Sequence, residues 1–149
     1  VTFPARVRDF RMSAESPAMS NVLWVSSRKG LFRLSPGRGR WEIDQVSFRG
    51  HPVSLVFDDP RDAAVYAALN LGHFGVKVHR SDDRGATWTE GGVPTYPPTE
   101  EPNGPSLKQI WAIEAAGPKV EDGLWVGTIP GGLFRSTDRG ATWSLNEPL

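Results

Sequence analysis

Few residues in this chain are equipped for chemistry, and most of those are charged. None of the 149 residues is cysteine, which excludes a disulfide framework, a thiolate metal site and a thiol nucleophile. General acid–base chemistry calls for paired carboxyl groups. Glu100 and Glu101 are adjacent, and Glu114 closes a short apolar run, Gln109–Ala115. Glu114 alternates in phase with Ile110 and Ala112, so one face of that segment carries a charge that lines a channel or meets water. The cations follow another pattern. Arg28, Lys29, His73 and Lys108 stand in turn-forming stretches rich in glycine and proline. Such groups suit carboxylated or phosphorylated ligands, and their plain alternative is a solvated loop charge. Asp82 and Asp83 beside Gly85 suggest a calcium loop, but EF-hand spacing and its bidentate Glu are absent. His73 and His79 lack a third ligand nearby. The expectation is no metal and no cofactor.

Composition narrows the class. Lys+Arg and Asp+Glu both number 17, which argues against a general nucleic-acid binder and a polybasic membrane-surface protein. No apolar run approaches the roughly 18–20 residues of a membrane-spanning helix. Residues 1–20 hold three arginines but no continuous apolar stretch, unlike a secretory signal. They are expected to form a disordered or weakly ordered extension, with Met19 a candidate natural start. A cytoplasmic location follows as an expectation.

The elements that must position these residues are short. Sixteen Gly and 13 Pro favour many strands and turns over a helical bundle. Ser81-Asp82-Asp83-Arg84-Gly85-Ala86-Thr87-Trp88 recurs as Ser136-Thr137-Asp138-Arg139-Gly140-Ala141-Thr142-Trp143. A worn copy runs from Gly30-Leu31-Phe32-Arg33 through Gly39 to Trp41, one residue shorter and without the Asp. Repeats of about 40–50 residues with several strands each signal a propeller. Strands are expected at 22–26, 31–34, 41–48, 53–57, 65–69, 76–81, 87–90, 109–115, 124–128, 133–137 and 142–145. They make an all-β, partial β-propeller of about three four-stranded antiparallel blades, near 21–48, 49–92 and 106–149. The first blade's innermost strand is missing or comes from elsewhere, and a Pro-rich loop, 91–105, lies between the second and third. Eleven strands fall short of the four to eight blades that close a ring. The chain is therefore expected to be a fragment that needs further blades or self-association.

S-x-D-x-G-x-T-W is the Asp-box, or BNR repeat, of sialidase-like β-propellers, and both full copies match it. Trp24–Phe32 and Leu71–Gly75 likewise resemble bacterial BNR-repeat proteins labelled glycosyl hydrolase or exo-alpha-sialidase. In the box, Asp83 and Asp138 accept backbone N–H bonds, and Ser81 and Ser136 satisfy neighbouring groups. Gly85 and Gly140 supply positive φ, Thr87 and Thr142 complete the motif, and Trp88 and Trp143 bury their rings between hairpin and sheet. The resemblance makes the box structural and puts function on the opposite loops: Ser27–Gly30, Asn70–Gly75, Gly127–Gly132 and the approaches near His51 and Lys108. Arg28, Lys29, His73 and Lys108 would then form a cationic rim for an anionic glycan. A sialidase's Tyr nucleophile with its Glu makes Tyr96, Glu100, Glu101 and Glu114 the catalytic candidates, with Tyr96 placed to stack on a sugar. The sialidase Arg-Ile-Pro signature is missing, Ile129-Pro130 following Thr128. The leading expectation is a glycan-directed propeller, hydrolytic in complete form. The alternative is a non-catalytic scaffold for protein partners.

Overall fold

Runs of β-branched and aromatic residues broken by Gly and Pro become strands here, as their pattern requires. The structure, a computed structural model, describes residues 21–100, 104–117 and 119–147. The extension expected at residues 1–20, and Glu101, lie outside the described residues.

Three antiparallel sheets form, each with its strands side by side in chain order. The first holds β1 (Leu23–Ser27), β2 (Gly30–Pro36) and β3 (Trp41–Ser47). The second holds β4 (Val53–Asp58), β5 (Val65–Asn70), β6 (Val76–Ser81) and β7 (Thr89–Glu90). The third holds β8 (Gln109–Ala115), β9 (Leu124–Ile129), β10 (Gly132–Ser136) and β11 (Ser144–Leu145). Strand β4 lies beside both β1 and β8, so the sheets stack face on face as successive propeller blades. Among the described residues the first blade has no fourth, innermost strand.

Two seams hold the blades together. Leu31 of the first meets Val53, Ala67 and Leu69 of the second, with Trp24, Phe48 and Trp88 around them. Tyr66, Ala68, Val76 and Val78 of the second meet Ile110, Ile113, Leu124, Val126 and Phe134 of the third. Alternate residues of β5 thus enter opposite seams. That is why Val65–Leu69 is an unbroken buried run rather than an alternating one.

Three expectations need correction. Both innermost strands carry a bulge, at Ser54 and at Trp111, where the pairing register slips by one residue. A bulge inverts the side-chain phase beyond it. Ile110 and Ile113 are consequently buried together, while Ala112 and Glu114 are exposed. Strands β7 and β11 begin later than expected because Thr87 N–H and Thr142 N–H donate to Asp83 and Asp138, at 2.8 and 2.9 Å. Finally, the tryptophans reach into the preceding blade. Trp88 Nε1 donates to Ser47 Oγ and Trp143 Nε1 to Gly92 O, both at 3.0 Å.

The octapeptide turns are otherwise built by their own side chains. Ser81 Oγ accepts from Gly85 N at 2.7 Å and Ser136 Oγ from Gly140 N at 2.8 Å. Thr87 and Thr142 hydroxyls donate to the second carboxylate oxygens at 2.6 and 2.5 Å. Gly85 and Gly140 have φ of 88° and 85°, open to glycine at little cost.

Candidate functional site

The loops at the other end of the blades are held by main chain. In the β1–β2 turn, Lys29 N donates to Ser27 Oγ at 3.0 Å, leaving Arg28 and Lys29 exposed at its tip. Lys29 O accepts from Gly50 N at 2.9 Å, tying this turn to the approach into β4. The β5–β6 connection makes a short 3-10 turn at Gly72–Phe74, which lifts His73 and Phe74 into solvent. Phe74 is 82% exposed. Asn70 donates from its backbone to Pro52 O at 3.1 Å and from Nδ2 to Lys108 O at 2.9 Å. Lys108 N reaches Ile129 O at 2.8 Å. One continuous set of contacts therefore runs from Lys29 in the first blade to Lys108 in the third.

The chemistry of this surface follows from its residue types. Segments 27–30, 48–52, 70–75, 104–108 and 128–132 carry Arg28, Lys29, Arg49, Lys108, His51 and His73, and no Asp or Glu. Among the described residues, none of these cations takes part in an ion pair. Unpaired guanidinium and ammonium groups on neighbouring loops sum to an attractive field for anions. Arg49 escaped the sequence reading, although its loop was marked by His51. An open depression lined by Gly104, Pro105, Ser106, Lys108 and Pro130, of about 510 Å³, lies at the third-blade end of this surface.

The carboxylate and tyrosine candidates do not join them. Lys108 precedes β8 and Glu114 lies near the strand's far end, roughly 20 Å away at about 3.3 Å per residue. Glu114 pairs across the sheet with Trp125 on the outer face of the third blade. Glu100 is exposed in the Pro-rich loop. Tyr96 is half-buried, with its ring edge-on to Phe134 at 5.1 Å. Its hydroxyl donates to Pro130 O at 2.5 Å and lies 2.6 Å from Thr128 Oγ1. Val93 and Leu107 pack against the same buried cluster, and Pro94 is fully buried. The first half of the loop fills the seam between the second and third blades, so Tyr96 serves packing rather than standing open for a sugar.

A second cavity, about 220 Å³, opens where the octapeptide turns lie, between Tyr66, Arg80, Glu90, Asp138 and Arg139. Burial pushes the Tyr66 phenol up to about 12. None of the loop cations lines it. Among the described residues, no group of three His, Asp or Glu could hold a metal ion, and no helix is long and apolar enough to cross a membrane.

No family model matches the chain. It is 32% identical over 133 residues to xyloglucanase Xgh74A of Acetivibrio thermocellus, a match covering 79% of this chain and 15% of that protein. The chain thus spans about 15% of the length of the curated relative it matches. Among solved structures it is similar to YCF48 bound to D1 peptide, with a TM-score of 0.56 and 16% identity. That superposition covers 84% of this chain and 37% of YCF48. Together with the three stacked antiparallel sheets, the likeness shows the fold: an all-β arrangement of β-propeller blades.

Proposed function

We propose that the chain supplies three blades of a sialidase-like BNR/Asp-box propeller whose loop face binds an anionic glycan. One observation carries the reading: five adjoining loop segments hold Arg28, Lys29, Arg49 and Lys108 and no carboxylate. Glycan direction is supported by the partial similarity to a xyloglucanase. Hydrolysis, in this reading, draws its acid pair from outside these five segments, since both partners must flank the scissile bond. These blades bind and orient the ligand.

Phe74 favours a second reading. A large apolar ring 82% exposed beside His73 also suits an apolar side chain of an acidic peptide. YCF48, which shares the fold, is seen with a peptide.

An array of sialylated and sulfated glycans and acidic peptides separates the two. Wild type is compared with the Lys29→Ala/His73→Ala double variant at low and high salt. Retention of anionic glycans that weakens in salt and in the variant supports glycan binding. Capture of peptides alone, weakened by Phe74→Ser, favours the scaffold. Equal profiles for wild type and both variants would remove the loop face from either role.

A further inference from the structure

The two internal seams are built on matching ladders. Trp24, Arg33 and Gln45 stand in line across the first sheet, as Tyr66, Arg80 and Thr89 do across the second. At the first seam the trio fills the space up to the octapeptide turn of the second blade. Trp24 lies so close over Gly85 that an added Cβ would meet its ring at 2.6 Å. Arg33 Nη1 donates to Arg84 O at 3.1 Å, and Gln45 Nε2 donates to Gly85 O. At the second seam the trio falls short of the third blade's turn. The smaller Tyr66 ring lies 3.7 Å from the Cβ position of Gly140. Arg80 turns to Asp82 of its own blade, and Gly140 O is met by the main chain, Gly92 N at 2.9 Å. Thr89 is shorter than the glutamine it replaces. The cavity of about 220 Å³ opens at this position, lined by all three.

Its chemistry selects for a neutral ligand with hydroxyl groups. Arg80 Nε is buried without a hydrogen-bond partner, and a buried donor keeps its full desolvation cost until an acceptor arrives. Tyr66 is 1% exposed, and burial keeps its phenol protonated and able to donate. The carboxylates of Asp82, Glu90 and Asp138 outnumber the guanidiniums of Arg80 and Arg139 in the lining, which disfavours an anion. Each carboxylate also has a partner in the protein: Arg80, Lys77 and Thr142 in turn. A cation offers Arg80 Nε no acceptor. A hydroxyl serves both sides, accepting from Arg80 or Tyr66 and donating to a carboxylate. Val78 and Ala141 add apolar wall for ring carbons. The volume lies below the roughly 300–1,000 Å³ of drug-sized sites, so it admits a single ring.

We infer that this cavity is a second binding site, separate from the loop face, for one uncharged sugar ring. One ring hydroxyl accepts from Arg80 Nε, another donates to Glu90, and the ring carbons lie against Val78 and Ala141. The site is built entirely between the second and third blades and does not depend on the glycan reading of the loop face.

Amide chemical shifts of the full chain test it, with methyl glucoside and methyl galactoside as probes and glucuronate as the charged counterpart. A neutral glycoside is expected to move Gly91, Gly140 and Ala141 saturably, and equally at about 0.05 and 0.5 M salt. Glucuronate should bind several-fold more weakly. Arg80→Met should weaken the glycoside about tenfold, the loss of one charged hydrogen bond. Tyr66→Trp and Thr89→Gln, which install the first seam's residues, should abolish the shifts. Thr89 is exposed, so Thr89→Gln keeps the test where Tyr66→Trp fails to fold. No saturable movement with either glycoside overturns the proposal. So does movement at His73 and Lys108 instead, tighter binding of glucuronate, or unchanged binding in Thr89→Gln. Salt-sensitive capture of anionic glycans at the loop face is read separately and is untouched by any of these outcomes.

Discussion

Asp83 and Asp138 each gather hydrogen bonds on a carboxylate that is largely exposed. Thr87, first through its hydroxyl and then its N–H, and Ser81 hold the Asp83 carboxyl down to about 2, and Thr142 and Ser136 lower Asp138 likewise. A lowered folded-state value means stability present above the unfolded value near 4 and lost as pH falls through the folded one. The melting temperature should therefore drop between about pH 4 and 2, and Asp83→Asn/Asp138→Asn should flatten that drop. Asp138→Ala should cost about 1 kcal/mol, the low end for a charged hydrogen bond because solvent competes at the site. Denaturant titration measures it. The glycines divide by their surroundings. Gly85→Ala sets a methyl into the Trp24 ring at a left-handed φ and should cost about 1–3 kcal/mol. Gly39→Ala meets open space and should cost about 1 kcal/mol from backbone strain alone.

At the scale of elements, His79 makes the first seam sensitive to acid. It lies on β6, half-buried, with its ring 4.8 Å edge-on from Phe48 and Nδ1 without a hydrogen-bond partner. Burial lowers its pKa from 6.5, with Glu90 opposing and Lys77 assisting. The unfolded chain thus takes up the proton first, so stability falls as pH drops from 6.5 toward the folded value. Amide protection in β1 and β2, taken relative to the intrinsic exchange rate at each pH, should weaken as pH falls below about 6.5, and His79→Phe should abolish that change. Constant protection in wild type across that fall in pH would remove His79 from this role. Sequence made the strands and octapeptide turns legible because each needs only local signals: alternation, glycine, and side chains that reach their own backbone. The bulges were not legible, since one inserted residue leaves the composition of Gln109–Ala115 unchanged while turning Glu114 to the other face. Nor was the reach of Trp88 into the preceding blade, which depends on Ser47, 41 residues earlier. Tyr96 misled for the same reason: its partners, Thr128 and Pro130, are distant in sequence.

For the molecule as a whole, charge is balanced in total and unbalanced in place. Seventeen cations and 17 anions cancel, yet the five loop segments carry cations alone. Exposed charges attract an anion through water, with a screening length of about 10 Å at 0.1 M salt. Binding of a sialylated or sulfated ligand should weaken several-fold from about 0.05 to 0.5 M salt. Lys29→Ala/His73→Ala should weaken it further at low salt and leave the melting temperature within about 2 °C, since neither side chain packs. Isothermal titration and thermal melts check both. The bonds from Lys29 O to Gly50 N and from Lys108 N to Ile129 O use only peptide groups, and Asn70 spends its amide on a carbonyl. Any amino acid except proline can supply the peptide groups at positions 29, 108 and 129, while position 50, at φ 85°, favours glycine. Evolution can therefore rewrite Arg28, Lys29, Arg49, His73 and Lys108 one at a time, and change what the surface recognises, without reopening the question of how the chain folds.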